Sequence, residues 1–345
     1  MSLQKIISKT SEYLKIPAVV RFEQPFMNHL ADDFNKSGYD IEKKDKLLVV
    51  RKKGLRSPKI LTAHIDRHGI VVNEKGKNEY AAFNAKKHYG EENESSEKVF
   101  KKSGERFINE SVYAYDSDGR KIEEGKVKNY SYDFKAKNVF FDIDGFDKLP
   151  SGTPIAYISS LARKSGDISS QIDNAISIAV AYQLANDGFD GTLLFSTEEE
   201  IGRSWQHIAN YLQSQNTSSK EIITLDTTPY DDPRAISEGL IVFRNKDENA
   251  EFSPDLIKRL KNNCDNQGIR YEMKDEIIES QNAQLPKGKK PKKLGKTELG
   301  RIIQHTKGEF NGVTVQLPTT NYHTNHETTS ELALDNYYKT LKRLL

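Results

Sequence analysis

The chain has 345 residues, 30% of them charged, and a mean hydropathy of -0.72, which allows a large core and more than one domain under a very polar surface. Its 52 basic residues nearly cancel its 50 acidic ones, so no global field selects nucleic acid or an acidic partner. The apolar runs fall far short of the roughly 20 residues of a membrane span, the N-terminus lacks a signal-peptide core, and the single Cys264 rules out an internal disulfide; the expectation is a soluble cytoplasmic protein.

Short β-rich apolar runs alternate with helical patterns, as in an α/β sheet. The spacing predicts strands at Lys46–Arg51 and Lys59–Ala63. From about 75 to 157 helical periodicity gives way to short runs such as Val112–Tyr115 and Val139–Ile143, punctuated by the turn pairs Asp118-Gly119 and Asp144-Gly145. That predicts a small all-β module inserted into the α/β domain, with residues 85–104, rich in Lys, Glu and Ser, as a long exposed loop. A helix is expected over 174–186, ended by Gly188, then strands at Thr192–Ser196 and Glu221–Leu225. The segment 254–267 opens with Ser253 as N-cap and Pro254 at the first helical position. The basic stretch 282–296 lacks an aromatic or helical scaffold and reads as a solvated loop rather than an anion or nucleic-acid contact. A strand at Gly312–Leu317 and a helix over 330–345, with Leu334, Tyr337, Tyr338, Leu341 and Leu345 on one stripe, complete the chain.

Polar residues fall at the ends of these strands. KILTA ends in His64-Ile65-Asp66, TLLFS runs into Glu198-Glu199-Glu200, IITL ends in Asp226, and VTVQL is followed closely by His323. Ligands of open α/β sheets bind at the carboxyl ends of the strands, so four strands deliver His, Glu, Asp and His to one edge, and Asp173 precedes the helix over 174–186 there. Taken singly, Asp173 reads as a cap, the Glu run as a solvated helix start and each His as a satisfied residue; the shared topological position sets the combination apart. Two histidines with three carboxylates suit zinc first, or cobalt or manganese. Two ions roughly 3.5–4 Å apart need one bridging carboxylate plus a His and a carboxylate each. A further carboxylate that is not a ligand must carry the proton to the leaving amine, and Asp66 can hold the His64 imidazole.

The segments AHIDRHG (63–69), QIDNA (171–175), EEEIG (198–202), LDTT (225–228) and YHTNHE (322–327) resemble the M42 metallo-aminopeptidases, relatives of the M28 and M20 peptidases. KLLVVRKKG (46–54), VFFDIDGFDKLPSGTPIAY (139–157) and TELGRII (297–303) echo the same family. The resemblance implies a three-layer, phosphorylase/hydrolase-like metallopeptidase domain with a mixed sheet over 1–74 and 158–345. It also implies an inserted small β-barrel, PDZ-like and of dimerisation type, over 75–157. Two divalent ions would be held by His64 and Asp226 on one side and by Glu200 and His323 on the other, with Asp173 as the bridge. Glu199 would be the general acid/base and Asp66 the orienter of His64. The substrates would be short peptides losing their N-terminal residue to a metal-bridged hydroxide, and the chain would self-associate, commonly as a tetrahedral dodecamer.

The chain departs from the family at Arg67-His68, at Asn174 after the bridging Asp173, at Arg203-Ser204-Trp205, and at Glu298 where Asp is usual. A deacylase of small N-acyl compounds and a catalytically silent scaffold of the same fold are the alternative readings. Between His323 and His326, the Tyr-His-Thr-x-x-Glu pattern selects His323, with Glu327 as a nearby stabilising carboxylate.

Overall fold

A computed structural model describes residues 2–52, 54, 59–82, 94–135, 137–146, 148–215 and 220–345. Its main sheet is mixed and eight-stranded, in the order β1 (Tyr39–Lys43), β2 (Leu47–Lys52), β12 (Thr192–Ser196), β3 (Ile60–His64), β13 (Glu221–Pro229), β16 (Asn311–Thr319), β14 (Ile241–Phe243) and β15 (Tyr271–Met273). The central strand β3 is parallel to both neighbours, and β13 is parallel to β16. Every residue of β3 is buried, Thr62 and His64 included: strands covered on both faces lose the exposed polar alternation. Helices Ser2–Tyr13, Ala175–Asn186 and Glu331–Leu344 contribute Ile6, Tyr13, Ile176, Ala179, Leu334 and Tyr337 to the core around this sheet.

Two details of the sheet prepare the site. The expected strand ending at Leu225 continues to Pro229, so Asp226 lies within β13 and pairs with Gln316 of β16. On its other side β13 pairs with β3 only over Ile222–Thr224. Beyond that point the two strands part, and Asp226 sits at the mouth of the resulting crevice. A second, three-stranded sheet joins β10 (Ala162–Lys164), β11 (Asp167–Ser170) and β17 (Glu327–Ser330). Its register sets Ser170 against Glu327, which draws the segment ending in Asp173 toward the loop that holds His323.

The strands β4 (Ile70–Val72), β5 (Asn78–Tyr80), β8 (Asn138–Asp144), β7 (Lys121–Asp133), β6 (Ser111–Tyr115) and β9 (Pro154–Tyr157) close into a barrel in that order. It has its own core, including Ile70, Phe107, Val112, Val127, Val139 and Ile155. Gly69 stands where the chain passes from the sheet to the barrel. A Cβ there would meet a Val19 methyl at 2.4 Å and the Ile155 carbonyl at 2.9 Å, so no larger residue fits this close approach.

The exposed loop expected over 85–104 is corrected in its second half: residues Glu94–Glu105 form a helix, while 83–93 lie outside the described residues. The reason is Phe100, fully buried against the barrel, with its ring stacked on Tyr132 at 5.5 Å and edge-on to Phe134 at 5.2 Å. Burying one such ring contributes about 2–3 kcal/mol, which outweighs the polar composition that suggested a loop.

Candidate metal centre

The strand-end residues converge. His64, the last residue of β3, is 4% exposed; its Nε2 lies 3.2 Å from Asp173 Oδ1 and 3.5 Å from Asp226 Oδ1. His323 Nε2 lies 3.4 Å from Asp173 Oδ2 and 3.6 Å from Glu200 Oε2. Asp173 therefore turns one oxygen to each histidine. Among the described residues neither oxygen accepts a hydrogen bond of good geometry, and Glu200 Oε1 is likewise buried without a partner. Asp173 is not the cap that its position suggests in isolation: the helix starts at Ala175 behind Asn174, whose amide donates to the Leu225 carbonyl at 3.0 Å.

Supporting residues hold these side chains in place. The Glu327 carboxylate, fully buried, accepts the backbone N–H of Asp173 at 2.7 Å and of His323 at 2.6 Å. The Asp66 carboxylate accepts the N–H groups of Glu199 and Glu200, both at 3.0 Å. The His64 Nδ1 is nearer to the Asp66 carbonyl, at 3.1 Å, than to its carboxylate, at 3.6 Å. Asp66 thus fixes the Glu turn with its side chain and meets His64 with its backbone. Glu198 and His323 both take left-handed backbone, with φ of 65°, a conformation a non-glycine residue keeps only when its surroundings enforce it.

The three consecutive glutamates point in three directions. Glu198 faces Lys46 at 3.6 Å and His207 at 3.5 Å, Glu199 lines the cleft, and Glu200 faces the histidines. Beneath them Glu298 accepts from Ser196 Oγ at 3.0 Å and Thr62 Oγ1 at 3.3 Å. Glu298 opens a helix that Thr297 caps, and Gly300 lets the Asp247 carboxylate close on the cap. His326 stands apart, exposed, with Nε2 2.8 Å from Glu110.

The electrostatics call for a cation. Burial raises Glu199 to about 7, helped by Asp226, Asp66 and Glu298. Burial also raises Glu200 well above the usual range, with Asp173 next, and raises Asp226. For Asp173 burial acts upward but is outweighed by His323 and His64, which hold its carboxyl below the ordinary value. In His64 the neighbouring carboxylates Asp173, Asp226 and Asp66 outweigh burial and raise it, whereas burial lowers His323 to about 4. So many carboxylates in a desolvated space, with oxygens left unbonded, fit divalent ions. The donor spacings agree, since a tetrahedral site with bonds near 2.0–2.1 Å has edges of about 3.3 Å. Among the described residues three groups of donors lie close enough to hold an ion; two are here, His64, Asp173 and Asp226, and His68, Glu200 and His323, and the third, Glu12, His29 and Asp33, lies elsewhere.

Three residues that the strand-end reading did not select complete the site. His68, two positions beyond Asp66, has Nε2 2.9 Å from Glu200 Oε2. Arg244 and Lys274 line the same cleft, of about 510 Å3, along with Glu199, Asp226, His323 and Tyr322. Arg244 donates to Gln316 at 3.0 Å and to the Leu294 carbonyl at 2.7 Å; Lys274 donates to Thr228 and, at 3.0 Å, to the Pro229 carbonyl. Among the described residues neither forms a salt bridge. Burial, with Arg244 next, lowers Lys274 to about 7. The loop read as merely solvated also enters here, since Lys293, Leu294, Gly295 and Lys296 form part of the cleft wall.

A mixed α/β sheet gathering histidines and carboxylates at a crevice is the arrangement of a metal-dependent hydrolase. Residues 127–340, more than half of the chain, match the family described as M42 glutamyl aminopeptidase. No curated protein matches the chain in sequence. Among solved structures it is similar to the Pyrococcus horikoshii TET1 peptidase, at 15% identity and a TM-score of 0.69 over 98% of both chains. It is also similar to an aminopeptidase of the archaeon Desulfurococcus kamchatkensis, at 14% identity and a TM-score of 0.71 over 99% of this chain and 94% of that one. A TET aminopeptidase of a marine-sediment Thaumarchaeota archaeon gives 15% and 0.71 over 99% and 96%. The chain belongs to the M42 family and is a metal-dependent aminopeptidase. Among the described residues no helix is long and apolar enough to cross a membrane.

Proposed function

We propose that the chain removes N-terminal residues from short peptides at a two-metal site and favours an acidic first residue. The observation that carries this reading is a single cleft lined both by members of the histidine–carboxylate cluster and by Arg244 and Lys274, neither of which forms a salt bridge among the described residues. In it, His64 and Asp226 would hold one ion and Glu200 and His323 the other, with Asp173 placed between the two histidines. When bound, the ions acidify the attacking water and polarise the scissile carbonyl; zinc suits the donors best, with cobalt and manganese next. Glu199, which lines the cleft beside the donor cluster, would take a proton from the attacking water and return it to the leaving amine as the C–N bond breaks. Asp66 keeps Glu199 and Glu200 turned to their separate tasks, and Glu327 does the same for Asp173 and His323. A substrate glutamate or aspartate side chain would give Arg244 and Lys274 the carboxylate they lack, and charge-assisted hydrogen bonds are the strong ones.

The remaining assignments follow the same reading. The catalytic domain comprises 1–74 and 158–345 as a three-layer hydrolase-like unit, less the barrel strand β4 (Ile70–Val72), which goes with the PDZ-like insert 75–157; the insert makes contacts between copies. The Pyrococcus horikoshii TET1 peptidase assembles into a tetrahedron or a large octahedral shell, and a dodecamer is proposed here.

The test pairs metal analysis of the purified protein with a panel of aminoacyl chromogenic substrates and Glu199→Gln. The expected result is about two metals per chain, turnover of free-amine substrates with glutamate ahead of alanine, and a loss in Glu199→Gln of roughly 10²–10⁴-fold at unchanged metal content. Turnover of N-acylated substrates only would replace the reading with a deacylase. A chain that binds metal and hydrolyses nothing would be a silent scaffold.

A further inference from the structure

His68 is one of the chain's departures from its family, and the structure turns it toward the metal site rather than away. Its neighbour Arg67 leaves in the opposite direction, its guanidinium donating to the carbonyls of Leu14 and Ile16 past the end of the first helix. The His68 ring packs at 4.0 Å from that of His323. Its Nε2 is buried, 2.9 Å from Glu200 Oε2, yet does not make a hydrogen bond of good geometry. Its Nδ1 lies 2.6 Å from the Tyr80 hydroxyl, which also accepts from Arg106 Nη1 at 2.8 Å.

We propose that His68 is a ligand of the ion held by Glu200 and His323, so that this ion takes two imidazoles while its partner at Asp226 takes one. The inference rests on the two-metal reading above. Three features of the geometry support it. His68 Nε2 and His323 Nε2 lie 2.9 and 3.6 Å from Glu200 Oε2, either side of the roughly 3.3 Å edge of a tetrahedral site. With Nδ1–H donating to the Tyr80 oxygen, Nε2 carries a lone pair 2.9 Å from Glu200 Oε2 and beside the His323 ring. A ligating histidine commonly has its other ring nitrogen fixed in this way. The backbone is fixed too, because the Gln171 side-chain amide donates to the His68 carbonyl at 2.8 Å. The competing arrangement is the other tautomer, in which Nε2–H donates to Glu200 and His68 only positions that carboxylate.

A second imidazole makes one site softer than the other, so the two ions should differ in affinity and in metal preference. The deciding measurement counts imidazoles around zinc in the loaded holoenzyme by X-ray absorption fine structure. If His68 ligates, three histidines serve two ions and the count is about 1.5 per zinc, falling to about 1.0 in His68→Gln, where one zinc is lost to chelators at least 100-fold more readily. Tyr80→Phe removes the partner of Nδ1 but leaves the ligand, so its count should stay at the wild-type value. The wild-type count stands by itself if His68→Gln fails to fold. Two zincs with about one imidazole each, unchanged in His68→Gln, would overturn the ligand role and leave the two-metal reading intact. A protein that takes up no zinc would overturn both.

Discussion

The donor cluster and the basic wall share one cleft but solve opposite electrostatic problems. In the cluster, His64, His68 and His323 lie against Asp173, Asp226 and Glu200, and the excess is negative. At the wall, the buried Arg244 and the half-buried Lys274 donate to carbonyl, amide and hydroxyl oxygens, and the excess is positive. Buried charge without a partner is costly, so each side carries a debt that only a bound species settles. The cluster suits cations that stay, and the wall suits an anion that comes and goes with the substrate. On the proposed function, cation binding and substrate choice rest on separate strands and can be altered separately.

Breaking the cluster should have the largest effect. Asp173→Asn keeps the shape but removes the charge on the one residue shared by both histidines, so both ions should be lost. Activity should fall by more than about 10³-fold, and metal content measured after dialysis should fall with it. Retention of both ions at wild-type affinity would deny Asp173 its bridging role. At the wall the expected effect is smaller and selective. Arg244→Met removes one charged donor, a loss on the order of 1.5–3 kcal/mol when the partner is a carboxylate. The ratio of kcat/KM for glutamyl over alanyl substrates should therefore drop roughly 10- to 100-fold, with metal content and alanyl turnover nearly unchanged. An equal loss on both substrates would move Arg244 from recognition to general support of the cleft.

These regions also differed in how much the sequence revealed. The cluster was legible because β3, β12 and β13 are long, apolar runs, and a sheet of this kind offers one edge for their polar ends. Asp226 was placed by the same logic even though β13 runs on to Pro229. His68 carried a signal that was not used: His64, Asp66 and His68 alternate with Ile65 and Arg67, and alternate residues of an extended segment share a side. Arg244 and Lys274 follow β14 and β15, strands of three residues each, too short to show any alternation. The helix Glu94–Glu105 was hidden for another reason. Among residues 97–105 the buried face is Phe100, Ser103 and Gly104, of which only Phe100 is a large apolar residue, so the composition resembles a loop.

The smallest effect comes from pH and concerns Lys274. Burial lowers it from the ordinary lysine value to about 7, so in the free enzyme the ammonium is present below that pH and lost above it. Binding of an acidic side chain needs the ammonium, whereas an alanyl substrate does not. The ratio of glutamyl to alanyl kcat/KM should therefore fall as pH rises from 6 to 9, by roughly tenfold, and taking the ratio cancels any titration of Glu199 common to both. In Lys274→Met the ratio should start low and stay flat. The stability of the fold should respond with the opposite sign. A lysine lowered by folding is a liability that is whole below about 7 and shrinks as pH rises toward the unfolded value, because the unfolded chain binds the extra proton in that window. Lys274→Met should thus raise the melting temperature at pH 6 more than at pH 9. A flat ratio in the wild type, or a variant equally stabilised at both pH values, would place the titrating charge elsewhere and leave Arg244 as the sole anchor for the acidic side chain.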